Sequence, residues 1–203
     1  MSAVRYIAFE GVEGCGKSTQ AVRLAERLGA VLTRETGGTE IGRQLRHVLH
    51  DPANTHLDAV AEALMIAADR AQHRAEVVQP ALTAGRTVVS DRSVWSSLAY
   101  QGYGRRLPLD LVRSVNDWAL QGCWPHLVVL LDITPDLAAE RLRDRHLDRF
   151  EREDAAFFSR VAEGFRDLAA RHRDLWVVAD GSGTADEVAA AVWEQLGARG
   201  VRP

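Results

Sequence analysis

At 203 residues the chain has the length of a single domain with one substantial core. It is 46% hydrophobic and 26% charged, which excludes disordered and fibrous classes, and its net charge of −3 gives no electrostatic ground for binding nucleic acid. Two cysteines, Cys15 and Cys123, form neither a disulfide framework nor a metal-ligand spacing, so a reducing cytoplasm is the expected compartment.

Tyr6–Phe9 reads as a buried strand, and Thr19–Leu28 as a helix that opens at Lys17 and carries Ala21, Leu24, Ala25 and Leu28 on one face. Residues 30–33 form a short second strand leading into the turn-rich loop 34–39. A helix is expected over 40–50, stopped by Asp51-Pro52, then a long one over 56–72 and a short one over 79–84. Residues 86–90 make a third strand that runs into Asp91-Arg92. Helices follow over 95–101 and 108–120. Leu127–Asp132 is the clearest buried strand. Thr134 caps the next helix, with Pro135 at its first position, and that helix becomes basic at Arg141, Arg143, Arg145 and Arg149. A helix over 154–172, a strand over 175–178 and a helix over 185–196 complete the chain. No signal-peptide pattern, internal repeat or membrane-length apolar run interrupts it, so no membrane partner is expected.

Five strands alternating with helices predict an α/β fold: a five-stranded parallel sheet with helices on both faces, in one unit over 1–203. Such sheets bind ligands beyond the carboxyl ends of their strands.

Between the first strand and helix lies Gly-x-x-x-x-Gly-Lys-Ser, from Gly11 to Ser18. Strand, glycine loop and helix together are the setting of a phosphate-binding loop. Backbone amides of Gly11, Val12, Glu13, Gly14, Cys15, Gly16, Lys17, Ser18 and Thr19 would surround the phosphates of a nucleotide, Lys17 would reach the β- and γ-phosphates, and Ser18 would ligate Mg²⁺. The Cys15 thiol, beside a helix N-terminus and Lys17, is expected to be reactive. Asp91 ends the third strand where a carboxylate of the Mg²⁺ shell would sit, and Arg92 beside it would clamp a phosphate. A GTPase switch shares the loop and the carboxylate. It would also need Asn-Lys-x-Asp after a strand and Asp-x-x-Gly after the third, and the chain has neither.

With these motifs placed, the chain resembles the thymidylate kinases, P-loop kinases that phosphorylate dTMP from ATP. The resemblance rests on Phe9–Ser18, Thr33–Thr39, Ala68–His73, the run from Asp91 to Gly102, and Asp148-Arg149-Phe150-Glu151, in that order along the chain. It implies a P-loop kinase three-layer fold with a short lid at about 141–153, Mg²⁺ as cofactor, and a homodimer. It further implies that Arg92 grips the dTMP phosphate, Arg70 hydrogen-bonds the thymine, Glu13 lies near the 3′-hydroxyl, Ser97 and Gln101 near the base, and Tyr100 against the 2′ position. Arg34 joins the substrate side. Ile66 stands where the family has a phenylalanine over the thymine, which raises the alternative of an altered base preference. Thr36 stands where the family has proline. The glycine loop carries no arginine while the lid carries four, so the chain is similar to the lid-arginine type, with Arg145 and Arg149 as the candidate catalytic cations beside Lys17 and Arg92.

Overall fold

The computed structural model describes residues 4–143 and 147–202. The elements are β1 (Tyr6–Glu10), α1 (Lys17–Leu28), β2 (Val31–Arg34), α2 (Glu40–His50), α3 (Ala59–His73), α4 (Gln79–Thr83), β3 (Val88–Asp91), α5 (Val94–Ser97), α6 (Leu109–Leu120), β4 (Leu127–Asp132), α7 (Pro135–Leu142), α8 (Ala155–Arg171), β5 (Trp176–Asp180) and α9 (Ala185–Ala198). Two π-helical turns, Arg74–Val78 and Leu98–Gly104, extend α3 and α5.

The five strands form one parallel sheet in the order β2-β3-β1-β4-β5. All five residues of β1 are buried, as are the first five of β4. Successive strand side chains point to opposite faces, so both faces of the sheet's middle are covered. The edge strands differ: Leu32 on β2 and Val178 on β5 are about half exposed, because an edge has helices over less of its surface. α1 and α9 pack on each other and on the sheet. α8 packs on β4, β5 and the second π-helical turn.

β1 is central, with β3 on one side and β4 on the other, so the order in which strands are laid down reverses beside it. In parallel sheets the ligand crevice opens at that point. Phe9 pairs with Asp91, and Asp91 in turn with Arg34, which brings the ends of β1, β3 and β2 to one rim. Among the described residues no helix is long and apolar enough to cross a membrane.

Sequence boundaries hold to within a few residues in all but two places. The basic helix expected from Pro135 on through Arg149 ends at Leu142. The other is after β3. There a helix was expected over 95–101; the chain makes one α turn and then widens into the π-helical turn through Gly104, closed by Arg105 N–H donating to the Tyr100 carbonyl at 2.8 Å. An i→i+5 ring leaves no mark in hydrophobic spacing.

Candidate active site

Gly11 follows β1 with φ +141°, and a Cβ there would lie 2.6 Å from the Leu131 carbonyl oxygen, so only glycine lets the loop start this close to β4. The loop ends at Gly16, the N-cap of α1. Side chains cap α2, α3, α7, α8 and α9, but none caps α1. Its first amides are therefore free to meet an anion, with the positive end of the helix dipole behind them.

Lys17 is 5% exposed, and its Nζ donates to the Val12 carbonyl at 2.7 Å and to Cys15 Sγ at 3.5 Å. Val12 and Cys15 belong to the hydrophobic core, so these two positions can offer a ligand only their backbone. Burial also corrects the expectation of a reactive Cys15: its sulfur lies under the loop against Gly11, at 2% exposure, with no approach for a reagent. Thr19 is exposed on α1, outside the cleft lining.

Ser18 donates to Asp91 Oδ2 at 2.5 Å. Two hard oxygen donors in contact beside a phosphate loop suit Mg²⁺, which binds through one or two protein oxygens and fills its octahedron with phosphate oxygens and water. No group of three or more His, Cys, Asp or Glu side chains gathers as a metal cage among the described residues. The donor set fits a substrate-borne Mg²⁺ rather than a resident structural ion.

Arg92 holds φ +71°, an uncommon conformation for a side-chain-bearing residue, while its N–H continues the sheet to the Phe9 carbonyl at 2.9 Å. The turn swings its guanidinium into the cleft, where it donates to Glu13 Oε1 at 2.6 Å, Ser96 Oγ at 3.0 Å, and Gly11 O and Tyr100 OH at 3.3 Å. Burial works against its charge, but Tyr100, Glu13 and Asp91 outweigh it and hold the pKa well above the ordinary value. Tyr100 donates to the other oxygen of Glu13.

Beneath this group lies Glu10, fully buried at the end of β1. Its Oε1 accepts from Ser93 N–H at 2.8 Å, Ser93 Oγ at 2.7 Å and Ser96 N–H at 3.2 Å, and its Oε2 from Ser96 Oγ at 2.5 Å. One carboxylate thus fixes the start of α5 and the turn that presents Arg92.

On the far side of the cleft Arg70 is 1% exposed. Four of its five N–H groups are taken, by Glu35 (2.8 Å), Ser97 Oγ (2.9 Å), Asn116 Oδ1 and the Ser93 carbonyl (3.2 Å), which leaves one for a ligand. Glu35 also accepts from His73 Nδ1 at 3.0 Å. Burial alone would raise the Glu35 pKa; Arg70 and His73 more than offset it and hold it below the ordinary value. Ile66, Ser97, Tyr100 and Gln101 line the same wall.

Three guanidinium groups, Arg34, Arg46 and Arg92, share the rim. Burial lowers the pKa of Arg46, and the charges of Arg34 and Arg92 lower it further. The i, i+4 spacing of Arg46 and His50 on α2 puts both on one helix face. His50 bridges Asp148 (2.6 Å) and Thr36 Oγ1 (3.3 Å), tying the lid to the loop after β2.

The two lid arginines Arg141 and Arg149 do not converge. Arg141 donates to the carbonyls of Gly14, Gly181 and Ser182, clamping α7 over the glycine loop. Arg149 points away from the cleft: it is 8% exposed and donates to the Leu49 carbonyl at 2.7 Å and to Glu62 Oε2 at 2.6 Å. Arg145 lies outside the described residues. Glu62 and Asn116 were passed over in the sequence, because such residues are read as solvated, while Glu10 and Glu35 stood inside motifs with no role given to them.

A parallel sheet with a glycine loop at its reversal point, an uncapped α1 and an arginine-rich rim facing it define a P-loop kinase of the nucleoside monophosphate class. A sequence model of the family described as Thymidylate kinase matches residues 9–192. The thymidylate kinase of Halothermothrix orenii is 46% identical over 186 residues, covering 87% of this chain and 89% of the relative. That of Syntrophotalea carbinolica is 44% identical over 200 residues, 93% of each chain. The crystal structure of thymidylate kinase from Ehrlichia chaffeensis superposes with a TM-score of 0.78 at 30% identity, covering 95% of this chain and 98% of that one. The chain belongs to the thymidylate kinase family.

Burial pushes the Glu10 pKa from about 4.5 up to about 7, against the opposing pull of Ser96, Arg92 and Ser93. The folded protein therefore holds this proton more tightly than the unfolded chain. The stability Glu10 contributes is full below about pH 4.5 and is lost as pH rises through 7. Between pH 4.5 and 8 the unfolding free energy of the wild type should fall by about 3 kcal/mol relative to Glu10→Gln. Urea denaturation of both across that range is the measurement; parallel curves would show that Glu10 titrates normally.

Proposed function

We propose that this chain transfers the γ-phosphoryl group of ATP to dTMP, giving dTDP and ADP. The observation that carries the reading is two anion sites facing each other across one cleft. One is the uncapped start of α1 with Lys17; the other is the crowd of Arg34, Arg46 and Arg92. Like charges held this close repel, and a phosphate between them relieves the repulsion. In the transfer, an oxygen of the dTMP phosphate bonds to the γ-phosphorus as the bond from that phosphorus to the β,γ-bridging oxygen breaks. Lys17 neutralises the β- and γ-oxygens and Arg92 aims the acceptor. Ser18 and Asp91 would hold Mg²⁺, which supplies charge neutralisation at the same oxygens when bound.

On the base side, the remaining N–H of Arg70 meets the thymine, Ile66 gives the apolar wall, and Tyr100, fixed by Glu13, crowds the sugar. Isoleucine forgoes ring stacking, which favours a second reading in which another pyrimidine monophosphate is accepted as well. With ATP, Mg²⁺ and each nucleoside monophosphate in turn, ADP release should be fastest with dTMP and abolished in Lys17→Ala. Near-normal turnover by a folded Lys17→Ala protein would sink the assignment, and a stronger response to another monophosphate would replace the substrate.

The type is the lid-arginine one, since the glycine-loop side chains Val12, Glu13 and Cys15 include no cation. Arg145 takes the catalytic role there, and Arg149, engaged by Glu62, takes an anchoring one. Arg145→Ala should cut kcat by about 10³ or more with little change in Tm. Arg149→Ala breaks a buried pair, costs about 3 kcal/mol and lowers Tm by roughly 10 °C. A large loss of kcat in Arg149→Ala at unchanged Tm would reverse the two roles.

The working unit is a homodimer. Ile41 and Val48 on α2, Val60 and Leu64 on α3, and Leu111 and Trp118 on α6 are all exposed, Trp118 at 82%, and α3 packs against both other helices. Apolar residues at helical spacing on three adjoining helices mark an interface rather than scattered surface. Sedimentation at micromolar concentration should give twice the chain mass, and Trp118→Glu should halve it. A monomeric wild type would exclude this face as a dimer contact.

A further inference from the structure

α3 carries Glu62, Ile66 and Arg70 at intervals of four, along one helix face. Ile66 and Arg70 line the cleft; Glu62 lies behind it, fully buried. A carboxylate in that position must have its oxygens satisfied, and three side chains do so. Gln101 Nε2 donates to Oε1 at 2.8 Å. Arg105 donates through Nε to Oε1 at 3.2 Å and through Nη2 to Oε2 at 3.0 Å. Arg149 Nη2 donates to Oε2 at 2.6 Å. Arg105 also pairs with Glu153 at 2.6 Å, so the buried charges balance.

The consequence falls on Gln101, which lines the cleft. Guanidinium groups only donate, and both Glu62 oxygens face one, so the carboxylate serves its neighbours as an acceptor. The Gln101 amide must therefore turn its NH₂ toward Glu62, which leaves its carbonyl oxygen for the cleft. A primary amide can present either end to a ligand, and this one is held in a single sense.

We propose that Glu62 is a positioning residue for base recognition. By fixing the Gln101 amide it makes that side chain a hydrogen-bond acceptor. It thereby selects a pyrimidine ring with N–H at position 3 over one with a bare ring nitrogen there. The same carboxylate holds Arg149 at the foot of the lid, so base reading and lid anchoring share one group. The proposal rests on the base-side reading above.

The test is steady-state kinetics of Glu62→Gln with dTMP, dUMP and dCMP. Glutamine at 62 can donate to the Gln101 carbonyl and so lets that amide reverse. The ratio of kcat/KM for dTMP to that for dCMP should fall by at least about tenfold, mainly through KM for dTMP, while KM for ATP stays unchanged. An equal fall for all three substrates, with the ratio unmoved, would overturn the proposal, because a purely structural role weakens every substrate alike. Should Glu62→Gln fail to fold, Glu62→Asp is read the same way. It keeps the charge between the arginines but withdraws the carboxylate by one methylene, and the same fall in ratio is expected. The ratio is referred to the wild type's own value. A wild type that prefers another monophosphate would therefore overturn the substrate assignment and not this one.

Discussion

Three buried carboxylates hold this cleft together. Glu10, Glu35 and Glu62 lie at the ends of β1 and β2 and on α3, each at 5% exposure or less. An ionised carboxylate in such surroundings costs several kcal/mol unless donors surround it. The need for donors is what orders the site. Glu10 gathers Ser93 and Ser96, Glu35 gathers Arg70 and His73, and Glu62 gathers Gln101, Arg105 and Arg149. Glu10 and Glu62 sit a layer behind the cleft, Glu35 reaches its lining, and each fixes a residue that lines it. Much of the cleft lining is thus set by side chains held from behind it.

The front of the cleft is organised by the opposite imbalance. Arg34, Arg46 and Arg92 crowd the rim, and Arg92 has the carboxylate of Glu13 pressed against it. These guanidinium groups at the mouth can receive a phosphate at the rim of the cleft rather than deep in the core. On the other side of the glycine loop, Arg141 joins α7 to Gly14 and to the loop after β5 through three carbonyls. The nucleotide end is thereby framed by backbone, and the monophosphate end by side chains.

The sequence showed plainly whatever depends on local pattern. The strand–loop–helix at Gly11–Ser18 and the five strands follow from apolar runs and glycine spacing, and they stand where expected. Asp91 and Arg92 were legible because a strand ended at them. The buried glutamates were not, since nothing local separates a glutamate in water from one sealed under a helix; only the fold brings Glu62 to Arg149 across 87 positions. A run of arginines from 141 to 149 told of charge but not of aim. Arg141 and Arg149 in fact face opposite ways, one onto the glycine loop and one onto α3. Exposure misled in the other direction at Cys15, whose neighbours suggested reactivity while its packing denies access.

The π-helical turn after α5 sets a limit of another kind. Its wide ring, closed from Arg105 to the Tyr100 carbonyl, holds one residue more than an α-helical ring would. The extra residue shares a turn with Tyr100, which reaches Glu13, and Gln101, which reaches Glu62; three residues on, Gly104 seats against Phe157. Shortening this segment by one position would restore regular helical pitch and turn everything beyond it by about a quarter of a circle. Tyr100 and Gln101 could not then both keep their partners. Substitutions here change one contact at a time, whereas a deletion changes the phase of the whole segment. Length, more than residue identity, is what homologous chains would have to preserve between Ser93 and Leu109.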